Sequence, residues 1–205
     1  MYERYGKRLL DIILSLAASI ILAIPMGLVA LWIKLDSPGP VFFKQRRVGK
    51  GKTHFNILKF RTMRGDTPHD VPTHLLKDAD SYITGSGAFL RKTSLDELPQ
   101  IYNILKGDMS IVGPRPERPE LAAELEKEIP EFSFRLQVKA GLTGYAQVYG
   151  KYNTTPYDKL KLDLTYIRNY SVLEDLKLII MTPKIMLMKE STEGVKEEQE
   201  PTNGK

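Results

Sequence analysis

The sequence predicts a mostly helical α+β protein with an apolar membrane helix at its N-terminal end. An uncharged stretch of 22 residues, 12–33, comes first. Two short apolar runs around a Gly/Lys turn then predict a β-hairpin, and later segments space their apolar residues as helices do. We expect three parts: a membrane helix with basic flanks (1–36), a folded domain (37–190) and a disordered tail (191–205).

Composition narrows the class of protein. A chain of 205 residues has room for one core-forming domain plus appendages. It contains no cysteine, which excludes disulfides, thiolate zinc sites and cysteine nucleophiles. The net charge is +5, and residues 1–61 hold eleven Lys/Arg against three acids. Because these basic residues surround the apolar stretch, they indicate a membrane-surface anchor and no nucleic-acid partner.

The apolar stretch would be about 33 Å long as a helix, against a hydrocarbon core of roughly 30 Å. It is too long for a signal peptide and lacks a clear cleavage site. Pro25 removes a helix hydrogen bond, so we expect a kink or break there. Basic residues flank both ends, and the positive-inside rule places both flanks in the cytoplasm. A re-entrant hairpin satisfies this rule, while a kinked single span is also tolerated, and the residues leave both open.

The remaining elements follow from shorter patterns. Strands are expected at 41–45 and 54–60 around the turn at 49–52, and residues 64–87 are expected to form a polar loop. His69 and His74 lie in that loop without a third ligand, so no metal site is predicted there. Helices are expected from Ser94 to a stop at Gly107, at 118–129, and at 173–190 with an interruption at Pro183. The helix at 173–190 is apolar enough to lie either in the core or at a membrane interface.

Two adjacent acids, Asp96 and Glu97, stand at the predicted start of a helix. Ser94 and Glu97 have the spacing of a capping box, so a purely structural role is one interpretation. The other is catalytic: neighbouring helical side chains point about 100° apart, so one carboxylate can face a substrate while the other takes a metal. The positive end of the helix would keep Asp96 ionised, as a carboxylate nucleophile requires.

A carboxylate that attacks phosphorus needs cations to neutralise the charge that develops. The basic candidates are Lys59, Arg61, Arg91 and Arg115. Each alone is typical of a surface charge, and their spacing does not show that they converge.

The residues around these acids resemble the bacterial sugar transferase family, the monotopic polyprenyl-phosphate phosphoglycosyl transferases, in its small form. The resemblance runs from Tyr5 to about Lys189. Its most specific parts are Leu90–Gln100 (LRKTSLDELPQ) and Asn103–Pro116 (NILKGDMSIVGPRP), and shorter matches are Pro38–Phe43 and Lys59–Met63. A match of this length is far more specific than a lone short motif.

The resemblance implies a UDP-sugar:polyprenyl-phosphate sugar-1-phosphate transferase. Asp96 would attack the β-phosphorus of a UDP-sugar, release UMP and keep a phosphosugar, which polyprenyl (undecaprenyl) phosphate would then accept. Glu97 would bind Mg²⁺, and the basic residues named above (Lys59, Arg61, Arg91, Arg115) would hold phosphates. Such a reaction is the first membrane step in making a polysaccharide or glycoprotein glycan. The alternative is a non-catalytic membrane-anchored scaffold in which the two acids only cap a helix.

The resemblance also implies a location, and this sequence departs from the family pattern at three positions. It favours a re-entrant helix broken at Pro25, with interfacial helices and the catalytic domain (37–190) at the cytoplasmic face of the inner membrane. Ile24 stands where small members often have serine, so the hydroxyl that could satisfy freed carbonyls is missing. Ala140 and Tyr145 replace proline and tryptophan in a region associated with the nucleotide and sugar, so substrate identity is the property they affect.

Overall fold

A computed structural model describes residues 2–68, 78–151 and 153–187. His69, His74 and the predicted tail (191–205) lie outside these residues. The helices are α1 (Lys7–Asp36), α2 (Gly85–Thr93), α3 (Gln100–Lys106), α4 (Pro119–Glu128), α5 (Tyr145–Tyr149), α6 (Pro156–Arg168) and α7 (Val172–Leu187). The strands are β1 (Phe42–Val48), β2 (His54–Phe60), β3 (Ser110–Val112) and β4 (Gly141–Thr143). The mostly helical prediction is confirmed.

Helix α1 contains the apolar stretch and is long and apolar enough to cross a membrane. Its middle makes little contact with the protein: Ile20, Ile21 and Ile24 are each more than 70% exposed. The helix continues through Pro25 without an interruption. The predicted break is therefore not seen in the hydrogen-bonded helix, and the re-entrant path of α1 stays a prediction.

Both ends of α1 pack on the folded domain. Near the N-terminal end, the buried ammonium of Lys7 lies 2.6 Å from a carboxylate oxygen of Asp175 in α7. Near the C-terminal end, Ile33 is 1% exposed and packs in a cluster with Phe60 and Leu90. These two contacts lie at opposite ends of the 30-residue helix, so the same domain contacts both ends of α1.

The predicted hairpin is confirmed. β1 and β2 pair antiparallel from Phe42 opposite Phe60 to Val48 opposite His54. The connection turns at Gly51, whose φ of +62° lies in the left-handed region that glycine adopts without a steric penalty. Alternation along β2 buries Phe55 and Ile57 against the core.

Helix α2 was missed, because residues 64–87 were expected to form a loop. Thr84 caps it by accepting a hydrogen bond from the Gly87 N–H, 3.0 Å away. A Cβ on Gly87 would lie 2.0 Å from the carbonyl oxygen of Thr62, so this glycine lets α2 approach the chain after β2. A nine-residue helix with two glycines near its start has too low a helix propensity to be predicted from sequence.

The C-terminal half surrounds a short parallel pair, β3 and β4. Val112, Val148, Tyr166 and Leu178 form a buried cluster there, which joins β3 to α5, α6 and α7. α4 lies where a helix was predicted at 118–129, and it has no buried residue. α7 continues through Pro183, so the predicted interruption of this helix is wrong across its described residues.

Replacing Arg135 by methionine is expected to destabilise this half strongly. Arg135 is 5% exposed and its guanidinium lies 2.7 Å from Asp163, which is 1% exposed. Removing the cation leaves a buried carboxylate without its partner, at a cost of about 3–5 kcal/mol. Chemical unfolding in detergent measures the loss.

Lys52→Met is the matched control, because Lys52 and Glu126 form an exposed ion pair. Its loss should be below about 1 kcal/mol. Equal losses in the two variants would contradict the structural importance of the buried pair.

Candidate active site

The two acids lie on a single turn of 3₁₀-helix between α2 and α3, the acidic turn (Leu95–Glu97). Ser94 enters it with a φ of +55°, and its side chain makes no capping hydrogen bond. The Glu97 side chain likewise does not return to Ser94 but bonds Lys59 and Arg115. The capping-box interpretation of these acids is therefore wrong. Neither carboxylate is occupied in capping the helix.

Glu97 is the centre of an ion-pair network. Its Oε1 accepts a hydrogen bond from Lys59 Nζ at 2.7 Å and another from Arg115, whose second nitrogen donates to Oε2 at 3.1 Å. Burial opposes ionisation of this carboxyl, but Arg115 and Lys59 outweigh it and lower its pKa to about 2. Glu97 is therefore a fixed anion near neutral pH, already holding two cations.

Asp96 is placed differently, although it is the next residue. Its side chain is 13% exposed, and its nearest charged partner is Lys59, 3.7 Å from Oδ2. Within residues 2–68, 78–151 and 153–187, no hydrogen bond reaches this carboxylate. Burial raises the pKa of Asp96, Lys59 opposes that rise, and Glu97 adds to it. The sequence led us to expect that the positive end of a helix would keep Asp96 ionised. In the structure, the pKa of Asp96 depends mainly on its burial and on the charges of Lys59 and Glu97.

The cations arrive from separate elements. Lys59 is the last residue but one of β2, so the hairpin directs it at the acids. Arg115 follows β3 in the Gly113–Pro116 turn, where two prolines fix the backbone. The buried Arg135 donates to the carbonyl oxygen of Arg115 at 2.9 Å and so holds that turn in place.

Arg91, on α2, completes the positive surroundings. Its Nε donates to the hydroxyl of Thr62 at 2.9 Å, and its charge acts to lower the pKa of Asp96. Three cations thus face two carboxylates, which leaves the cluster positive. Such a cluster favours an anionic ligand such as a phosphate. The predicted roles of Arg91, Lys59 and Arg115 in phosphate binding fit this arrangement and stay predictions.

Arg61 does not join the acids. Its guanidinium is buried and donates to Ser37 Oγ at 2.6 Å, to the Ser37 carbonyl at 2.9 Å and to the Pro40 carbonyl at 2.6 Å. These bonds fix the turn between α1 and β1. The sequence does not show this because the partners lie more than 20 residues away. A phosphate-binding role for Arg61 stays a prediction, for which its donors would have to leave this turn.

The carboxylates can be tested against the ion that the resemblance implies, Mg²⁺. The described residues contain no group of three or more side chains suited to hold a metal. Mg²⁺, however, needs only one or two protein carboxylates when substrate phosphates and waters supply the other ligands. Each carboxylate oxygen has two lone pairs, and Oε2 of Glu97 accepts one hydrogen bond. The donor set therefore fits Mg²⁺ with Glu97 as a ligand.

Two departures from the family pattern have clear surroundings. Ala140 is buried in the cluster with Phe55 and Ile57. The phenol of Tyr145 donates to Glu174 at 2.8 Å, and its ring contacts Tyr149 and Tyr166. In this chain Ala140 therefore packs in the core, and Tyr145 bonds to α7.

One hydrogen-bonded pair, which joins α1 to α2, was missed by sequence reasoning. Asp36, the last residue of α1, accepts hydrogen bonds from the backbone N–H and the hydroxyl of Ser86 at 2.9 and 2.7 Å. The two residues are 50 positions apart, and no local pattern links them. The only available signal was an acid that interrupts a run of basic residues after the apolar stretch.

Comparison with known proteins agrees with these observations. A family model described as bacterial sugar transferase matches residues 2–189. The chain is 44% identical over 186 residues to a UDP-glucose:undecaprenyl-phosphate glucose-1-phosphate transferase of Xanthomonas campestris pv. campestris, covering 88% of this chain and 38% of that protein. It is 40% identical over 185 residues to a UDP-N-acetylgalactosamine-undecaprenyl-phosphate N-acetylgalactosaminephosphotransferase of Aeromonas hydrophila, covering 88% and 43%.

A third relative is similar in length. The exopolysaccharide production protein PSS of Rhizobium leguminosarum bv. phaseoli is 41% identical over 184 residues, which cover 86% of this chain and 92% of that protein. The chain thus spans about two fifths of the first two relatives and nearly all of the third. A family model matching nearly the whole chain, together with these identities, shows that the chain belongs to the bacterial sugar transferase family.

Proposed function

We propose that this protein transfers a sugar 1-phosphate from a UDP-sugar to undecaprenyl phosphate and releases UMP. The observation that carries the proposal is the division between the two acids. Glu97 is held by two cations, whereas Asp96 accepts no hydrogen bond from the described residues and faces Lys59. One carboxylate is thus available to react, and its neighbour organises the charges around it. The names of the relatives describe this kind of reaction on undecaprenyl phosphate.

The reaction then has two steps. In the first, an Asp96 carboxylate oxygen bonds to the β-phosphorus while the bond from that phosphorus to the bridging oxygen breaks, so that UMP leaves with the electron pair. In the second, a phosphate oxygen of undecaprenyl phosphate bonds to the same phosphorus, and the Asp96 carboxylate leaves. Lys59, Arg91 and Arg115 stabilise the negative charge on the phosphoryl oxygens in both steps.

Magnesium would be held by Glu97 and by the phosphates of the substrate. When bound, it would supply positive charge to the pyrophosphate oxygens. The residues of the chain perform the other tasks. Arg115 and Lys59 keep Glu97 ionised and oriented, and burial of Asp96 limits its contact with water.

The lipid acceptor requires a membrane location, for which we propose the cytoplasmic face of the inner membrane. The contacts at both ends of α1 support a re-entrant path. A helix that spans a bilayer has ends separated by roughly 30 Å of hydrocarbon. Here Lys7 at one end and Ile33 near the other both pack on the same domain. If that domain lies on one side of the membrane, both ends of α1 would lie on that side as well.

Labelling of introduced cysteines tests this path, because the natural chain has none. Tyr5→Cys precedes α1, and Lys50→Cys lies in the exposed hairpin turn after it. In sealed inverted inner-membrane vesicles, both are expected to react with a membrane-impermeant maleimide. Reaction of only one of them, with the other labelled after the vesicles are opened, would contradict the re-entrant path of α1 and establish a single span.

Product analysis tests the reaction itself. Detergent-solubilised protein is incubated with Mg²⁺, undecaprenyl phosphate and UDP-glucose, UDP-galactose or UDP-N-acetylgalactosamine. The panel follows the different sugars in the relatives' names. Release of UMP with one of these sugars is the expected result. Release of UDP would indicate attack at the sugar carbon, and no nucleotide product with any donor in the panel would support a scaffold.

A further inference from the structure

The C-terminal end of α1 is bonded to the start of α2. Asp36 accepts from the Ser86 N–H at 2.9 Å and from the Ser86 hydroxyl at 2.7 Å. Ser86 is 1% exposed and is the second residue of α2, where backbone N–H groups lack partners within the helix. An anion there also interacts favourably with the helix dipole. A residue of the membrane helix thus supplies a cap for a different helix.

Helix α2 transmits this contact to the acidic turn. Leu90 is completely buried and packs with Ile33 and Phe60, which prevents α2 from sliding or rotating on α1. The backbone of Thr62 lies so close to Gly87 that no side chain fits between them. Only Ser94 separates the end of α2 from the acidic turn, so a shift of this short helix moves Asp96 directly.

The same membrane helix holds the other side of the turn. Arg8 donates to the carbonyl oxygens of Ile104 and Leu105 at 2.5 and 2.7 Å, which lie in the last turn of α3. The Ile104 carbonyl also accepts the Gly107 N–H at 3.0 Å, and a cation beside carbonyls at the C-terminal end of a helix is favoured. The acidic turn is therefore located between two helices whose outer ends are bonded to opposite ends of α1.

We propose that Asp36 is a positioning residue for the phosphoryl-transfer reaction: through Ser86 and α2 it sets where Asp96 stands relative to Lys59 and Arg115. The inference rests on the proposed function and goes beyond it, since it gives the membrane helix a part in catalysis in addition to anchoring. Small displacements of a reacting group are costly, about 10²-fold for 1 Å in unfavourable cases. Loss of the Asp36 contact should therefore reduce turnover while leaving the substrate contacts themselves intact.

The test compares Asp36→Asn, Asp36→Glu and Ser86→Ala in full-length protein. We expect Asp36→Asn to lower kcat about tenfold, with the KM for the UDP-sugar unchanged, because positioning acts on the reacting atom. Single-turnover formation of the phosphosugar adduct should slow by the same factor. Asp36→Glu keeps the carboxylate and should recover part of the loss. Combining Asp36→Asn with Ser86→Ala should add little to the effect of Asp36→Asn alone, since both weaken the same contact: the first removes its charge and the second its hydroxyl donor.

Asp158→Asn is the matched control. Asp158 is also an exposed acid at the start of a helix, and it accepts a hydrogen bond from the hydroxyl of Thr155 at 2.8 Å in α6. It should keep wild-type kcat. Wild-type kcat for Asp36→Asn, or a rise in KM at constant kcat, would overturn the inference. So would a loss of activity that matches the loss of folded protein measured by thermal unfolding.

The outcomes also separate this inference from the proposed function. If the wild-type protein releases no UMP with any sugar, the proposed function fails, and Asp36 has no such reaction to position. If the wild type is active and Asp36→Asn is equally active, only the positioning role fails.

Discussion

Asp96→Asn is expected to abolish UMP release, with a loss of at least about 10³-fold. An amide has no anionic oxygen to attack phosphorus, and Asn is close in size to Asp, so the acidic turn should keep its shape. Asp96 makes one long ion pair and accepts no hydrogen bond from the described residues, so few structural contacts are lost. The assay is release of UMP, together with the intact mass of the protein after incubation with UDP-sugar alone.

The mass measurement separates the covalent route from direct transfer. The wild type should gain the mass of one phosphosugar in the absence of the lipid acceptor, and Asp96→Asn should gain none. Asp66→Asn, at an exposed ion pair with Arg64, serves as the control and should react like the wild type. Transfer to undecaprenyl phosphate at the wild-type rate by Asp96→Asn would refute the nucleophile assignment.

Glu97→Gln is expected to have the second largest effect, a fall in kcat of about 10²-fold. The amide cannot pair with both Lys59 and Arg115, so the two cations lose the anion that orients them. It is also a poorer ligand for a hard divalent ion, so the Mg²⁺ concentration needed for half-maximal activity should rise about tenfold. The titration of activity with Mg²⁺ measures both effects.

A second readout does not depend on turnover. Binding of Mn²⁺, followed by electron paramagnetic resonance, should weaken in Glu97→Gln in the presence of a UDP-sugar. Glu126→Gln is the matched control, because Glu126 holds Lys52 in an exposed pair. Unchanged Mn²⁺ binding and Mg²⁺ dependence in Glu97→Gln would contradict its assignment as a metal ligand, and the cation-holding role would then account for any loss of kcat.

Local patterns predicted much of the fold. The hairpin was predicted because alternating apolar residues and a Gly/Lys turn are local signals, and the pairing of Phe42 with Phe60 confirms it. The stop at Gly107 was predicted for the same reason, and its φ of +99° agrees. Helix α2 was missed because packing of Gly87 on Thr62 overrides weak helix propensity.

The site was predicted only in part, for a physical reason. The acids and their neighbours stand together in the sequence, whereas Lys59, Arg91 and Arg115 meet them only after β2, α2 and the turn after β3 have packed. The predicted capping box failed because charge pairing with two cations outweighs a neutral cap. Arg61 was predicted to bind phosphate because it lies in a family motif. In the structure, its guanidinium instead donates hydrogen bonds to the turn at Ser37.

The contact between Lys7 and Asp175 has a consequence for the order in which the chain is assembled. The two residues are separated by 168 positions. At a synthesis rate of about 5–20 residues per second, roughly 8–34 s pass between their emergence from the ribosome. During this time α1 is already available to the bilayer, while Lys7 has no counter-ion from α7. α1 is thus made well before its packing is complete, and emergence of α7 from the ribosome is the event that allows this contact to form.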